Sequence, residues 1–65
     1  MPTIKVKGMS CQHCVQAVTR ALSGIDGIEN VSVDLESGTA SYDEKRQVPT
    51  DEVRSAIEEA GYELG

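Results

Sequence analysis

Two cysteines, Cys11 and Cys14, stand three positions apart in a chain of 65 residues, and theirs is the most obvious chemistry in it. A disulfide between them would close too small a loop to constrain the unfolded chain much. The pair therefore reads as reactive or ligating rather than as a staple. Its setting is Gly8-Met9-Ser10-Cys11-Gln12-His13-Cys14. The residues before it alternate like a strand and those after it recur at helical spacing, so it falls at a strand-to-helix junction. The amino end of a helix carries unsatisfied N–H groups and the positive end of the dipole. Both favour an anion and lower a cysteine pKa from about 8.5. One cysteine in the loop and one in the first helical turn can aim their sulfurs at a common point. Two convergent thiolates form a soft, low-coordinate metal site, which suits Cu(I), with Zn(II), Cd(II) or Hg(II) as competitors.

Two ligands cannot complete a structural zinc tetrahedron. Zinc carriers are expected to add a carboxylate near the thiols, and the motif contains none. His13 lies between the cysteines and is expected to face away from them. Its plain reading is an exposed polar side chain; its functional one is a third ligand or a pH-tuning group. A dithiol-disulfide oxidoreductase is the alternative from another class. A thioredoxin-like enzyme needs a larger domain, and usually an aromatic and a proline around the motif. Haem attachment needs histidine after the second cysteine, where Val15 stands.

The elements that must position this loop follow from periodicity. Thr3 to Lys7 alternates, with Ile4 and Val6 on one face. Val15, Val18, Ala21 and Leu22 then recur at helical spacing, with Ser10 expected as N-cap and Gly24 as the stop. Ile25 folds back as an apolar contact, and Asp26-Gly27 turns the chain. Val31, Val33 and Leu35 form a second strand, Glu36-Ser37-Gly38 a hairpin turn, and Ala40 and Tyr42 a third strand. Glu44 to Gln47 is a charged loop. Pro49-Thr50 opens a second helix with Asp51 and Glu52 in its first turn and an apolar stripe of Val53, Ala56, Ile57 and Ala60. Gly61 ends it, and Tyr62-Glu63-Leu64 starts a last strand.

The order is βαββαβ, with residues 3–35 and 38–64 as two crude β-α-β repeats. Right-handed crossovers put both helices on one face of a four-stranded antiparallel sheet, a ferredoxin-like α+β sandwich in one domain, 1–65. The other face is expected to be solvated by Lys5, Lys7, Ser32, Asp34, Thr39 and Ser41.

Composition narrows the function. Six basic residues against eleven acidic ones give a net charge of −5, and Tyr42 and Tyr62 are the only aromatics. Nucleic-acid binding needs clustered cations or stacking rings, so it is disfavoured. A domain this small buries only about 60% of its unfolded surface, which leaves little room for an enzyme cleft. Met1 to Gly8 alternates where a secretory signal would be continuously apolar. No run approaches the roughly 20 apolar residues of a membrane span, so the expectation is a cytoplasmic chain with reduced thiols and no membrane insertion. The sequon Asn30-Val31-Ser32 has no meaning in a cytoplasmic strand. Glu58, Glu59 and Glu63 are a solvated face or a docking surface for a basic partner.

The segment Gly8-Met9-Ser10-Cys11-Gln12-His13-Cys14 resembles the G-M-[TS]-C-x-x-C motif of heavy-metal-associated domains. These occur as small bacterial copper chaperones and as N-terminal domains of copper-exporting P-type ATPases. The likeness spans nearly the whole chain, including Gly61-Tyr62 after the second helix. It implies a Cu(I) carrier that passes metal by ligand exchange to a P-type ATPase or another copper-binding protein, or alternatively a metal-binding regulatory domain of such an ATPase, with Cys11 and Cys14 as ligands. It implies that Met9 points into the core and pins the loop. It places Tyr62 beside the site, either as a half-buried strand residue or as a group that shields the thiolates. The carrier is expected as a monomer without metal, and metal can bridge two copies. The last strand is shorter than the family usually has.

Overall fold

The computed structural model describes residues 2–65; Met1, the first residue of the stretch read against a secretory signal, lies outside them. Six elements follow in order: β1 Thr3–Lys7, α1 Gln12–Ser23, β2 Ile28–Asp34, β3 Thr39–Glu44, α2 Thr50–Glu59 and β4 Glu63–Leu64. The sheet order is β2-β3-β1-β4, and every pairing is antiparallel. This is the βαββαβ arrangement that the periodicity predicts.

The helices bury the stripes the spacing marks. Val18 and Leu22 of α1 and Val53 and Ile57 of α2 are buried against Val6, Ala40 and Tyr42 of the sheet. Ile25 and Val48 in the loops and Ile28 at the start of β2 close the core. The opposite sheet face is open: Thr3, Lys5, Lys7, Ser32 and Asp34 are exposed, and Thr39 and Ser41 half-exposed. Hydroxyl pairs such as Thr3 with Ser41, 3.1 Å apart, line it.

Strand β2 departs from the expectation at both ends. It starts at Ile28, because a register shift between Glu29 and Ser32 lets Ile28 and Val31, three positions apart, both turn inward. Asn30 takes the left-handed φ of 55° at that bulge and donates to the Asp43 carboxylate at 2.8 Å. The strand ends at Asp34, so Leu35 belongs to the turn. The Asp34 carboxylate accepts the Glu36 N–H and the Ser37 hydroxyl, both at 3.0 Å, and holds a four-residue turn where a shorter one was expected. Strand β3 likewise runs on to Glu44, whose carboxylate accepts the Val48 N–H at 3.1 Å.

Helix α1 stops at Gly24, as expected, but Gly24 keeps a right-handed φ of −77° and the chain turns later, at Gly27 (φ 98°). Helix α2 ends differently. Gly61 has φ 94°, its N–H donates to the Glu58 carbonyl and the Tyr62 N–H to the Ile57 carbonyl, both at 3.0 Å. These paired bonds are a Schellman motif, which turns the chain sharply out of the helix.

Candidate metal centre

Strand β1 delivers the chain to the site, and Gly8 turns it with a φ of 95° that favours glycine. Met9 is partly buried and packs on the core, so the loop is anchored from below. Cys11 is the N-cap of α1, with extended backbone angles of −158° and 174°. That corrects the expectation for Ser10, which lies one residue too early: the first helical N–H, of Val15, bonds the Cys11 carbonyl at 3.2 Å. The Cys14 N–H shares that carbonyl at 3.0 Å.

The cap of α1 has no side-chain hydrogen bond, and its first turn contains no acidic residue. Helix α2 does carry Asp51 and Glu52 in its first turn. The positive end of α1 is thus left to whatever anion the cysteines provide.

Both cysteines are free thiols; Cys11 is exposed and Cys14 half-buried. Their sulfurs lie 3.6 Å apart. The Ser10 hydroxyl is 3.9 Å from Cys14 Sγ. Cys14 is lowered from an ordinary 9.0 to about 6, first by the Ser10 backbone, then by the Tyr62 hydroxyl and the Cys11 thiol, with burial opposing them and the Cys11 backbone adding to the lowering. The same contact raises the Tyr62 pKa, because a phenol that donates to a thiolate gives up its proton less readily. The arrangement therefore favours a thiolate at neutral pH, as a nucleophile or as a soft ligand.

The sequence-predicted residues gather unequally. Cys11, Cys14, Ser10 and Tyr62 meet at the loop, with Met9 beneath it. His13 is exposed on α1. Among the described residues no group of three or more His, Cys, Asp or Glu side chains converges, so His13 does not join the cysteines. Two contributors escaped the sequence reading. The Ser10 backbone acts through an N–H, which no side-chain pattern reveals. Gly8 lies against the Tyr62 ring, where an added Cβ would sit 3.5 Å from Tyr62 Cδ1. Among the described residues no helix is long and apolar enough to cross a membrane.

Fold and site together define a small α+β domain that carries two convergent thiols on a strand-to-helix loop. Residues 3–63 match the heavy-metal-associated domain family, and the chain belongs to that family. It is 41% identical over 63 residues to the copper chaperone CopZ of Staphylococcus saprophyticus, covering 95% of this chain and 93% of that protein. A solved CopZ metallochaperone superposes with a TM-score of 0.88 at 38% identity, covering 98% of this chain and 97% of the other. The copper binding domain from HMA7, a P-type ATPase, superposes with a TM-score of 0.86 at 30% identity, covering 97% and 86%.

Proposed function

We propose that this domain is a Cu(I) carrier in which Cys11 and Cys14 are the metal ligands. The observation that carries the reading is the 3.6 Å approach of the two sulfurs at the uncapped amino end of α1. The near full-length likeness to CopZ copper chaperones supports copper as the cargo. Two thiolates and one Cu(I) carry a net charge of −1, which the positive end of α1 offsets. A thiolate pair with no third His, Cys, Asp or Glu converging on it among the described residues suits Cu(I) better than Zn(II), which takes four.

Transfer follows from the unequal exposure of the pair. Cys11 is open to solvent and Cys14 half-covered, so an incoming thiolate of a partner reaches copper from the Cys11 side. A three-coordinate copper forms and Cys11 leaves; a second thiolate of the partner then binds before Cys14 leaves, so the number of thiolate bonds never falls below two. The receiving partner is a second protein with a paired-thiol loop, such as the metal-binding domain of a copper-transporting P-type ATPase. Free thiols of this kind belong in a reducing compartment such as the cytoplasm.

Transfer is tested by mixing the Cu(I)-loaded protein with a second two-thiol domain in the presence of a chromogenic Cu(I) chelator. The carrier reading predicts that copper moves to the second domain with little coloured chelate. Passage of all the copper through the chelator pool would contradict it. An insulin reductase assay in the same preparation is expected to show negligible turnover, and rapid turnover would favour a dithiol oxidoreductase.

A further inference from the structure

We propose that Gly61 is a positioning residue for the metal loop: by closing α2 in a left-handed turn it lays the Tyr62 ring against Gly8, beside the two-thiol site. The proposal deepens the carrier reading and rests on it. Gly61 itself is exposed, and an added Cβ there would meet nothing within 4 Å. Packing therefore does not demand a glycine at this position. Its φ of 94° does, because the Schellman bonds from Gly61 and Tyr62 back to Glu58 and Ile57 exist only in that conformation.

Tyr62 follows at once, with no intervening residue to absorb an error in direction. Its ring packs on the core and over Gly8, which itself needs a φ of 95°. Two left-handed glycines from distant parts of the chain thus bracket one tyrosine: Gly8 provides a surface without a side chain, and Gly61 sets the angle of approach. Pairing of Lys7 with Glu63 and of Val6 with Leu64 fixes the chain just beyond. A residue at 61 that abandons the left-handed region must swing Tyr62 while β4 stays paired. The Tyr62 ring then leaves Gly8, and the half-covered side of the two-thiol site opens to competing ligands.

The test compares Gly61→Ala, which resists the left-handed region, with Gly61→Asn, which tolerates it better. Each is made alone and with Tyr62→Ala. In the metal-free proteins, NMR cross-peaks between the Tyr62 ring and Gly8 Hα report the contact directly. They should weaken in Gly61→Ala and persist in Gly61→Asn. In the Cu(I)-loaded proteins, loss of copper to a chromogenic chelator should be faster in Gly61→Ala by about threefold or more, with no further acceleration when Tyr62 is already alanine. An equal acceleration with and without Tyr62, or unchanged cross-peaks in Gly61→Ala, would overturn the proposal. A parent protein that binds no Cu(I) would overturn the carrier reading instead, and the cross-peaks would still decide whether Gly61 positions Tyr62. Thermal melts of all variants identify any loss that is simply unfolding, and in that case Gly61→Asn decides.

Discussion

Cys11 and Cys14 place their sulfurs 3.6 Å apart from unlike positions, one as the cap of α1 and the other inside its first turn. Their surroundings differ accordingly. Cys14 has the Ser10 hydroxyl and the Cys11 thiol nearby and is held below its ordinary pKa first by the Ser10 backbone and then by Tyr62, while Cys11 faces solvent. One thiol is held as a prepared anion, and the other is the accessible one.

The first consequence concerns reactivity. Cys14 at about 6 is mostly thiolate at neutral pH. Site-resolved alkylation by mass spectrometry should show a half-maximal rate for Cys14 near pH 6. A rate still climbing toward pH 9 would show an ordinary thiol.

Stability should depend on pH through the same group. Cys14 titrates near 6 in the folded chain and near its ordinary 9.0 when unfolded. Between those values the unfolded state binds the extra proton, so stability rises with pH. The contribution is fully present above pH 9 and is lost as pH falls toward 6. Under reducing conditions and without metal, the melting temperature of the parent relative to Cys14→Ser should climb across this window. A flat difference would contradict the assignment.

Tyr62→Phe keeps the ring and removes the hydroxyl. Cys14 should then titrate higher, because the second-largest cause of its lowering is gone. It should stay below 9.0, because the Ser10 backbone bond is the larger cause and remains. The alkylation profile in this variant measures the displacement, and an unmoved profile would show that the hydroxyl does not act on Cys14.

Leu22 is fully buried on the face of α1 that meets the sheet. Leu22→Ala should cost about 2–5 kcal/mol. A chain of 65 residues has about 3–10 kcal/mol in all. Urea unfolding should therefore show a much lower midpoint or no folded baseline. A change under about 1 kcal/mol would mean that the core is looser than its burial implies.

Much of this was legible in the sequence. The helical stripes ending in Leu22 and Ala60 and the alternation through Val6 and Ala40 determine which faces are buried, and hence where the loop must emerge. The bulge at Asn30 was not legible, since a two-residue period cannot anticipate a break that restores the inward direction of Ile28. Nor was the cap: Ser10 has the preferred chemistry, but the first helical bond goes to the Cys11 carbonyl. The two cysteines were visible by type and spacing. The lowered cysteine pKa at a helix amino end was expected, and the resemblance put Tyr62 beside the site. Only the folded chain shows that Cys14 is the thiol lowered and that the Ser10 backbone acts on it, and only there do the two glycine angles come together.

On the proposed reading, Cys11 and Cys14 jointly hold copper. The most direct measurement is titration of the reduced protein with Cu(I) against a chromogenic chelator, beside Cys11→Ser, Cys14→Ser and the double variant, with circular dichroism to show that each is folded. Tight, stoichiometric binding is expected in the parent, marked weakening in each single variant and no binding in the folded double variant. Stoichiometric copper retained by the double variant, or none bound by the parent, would contradict that reading.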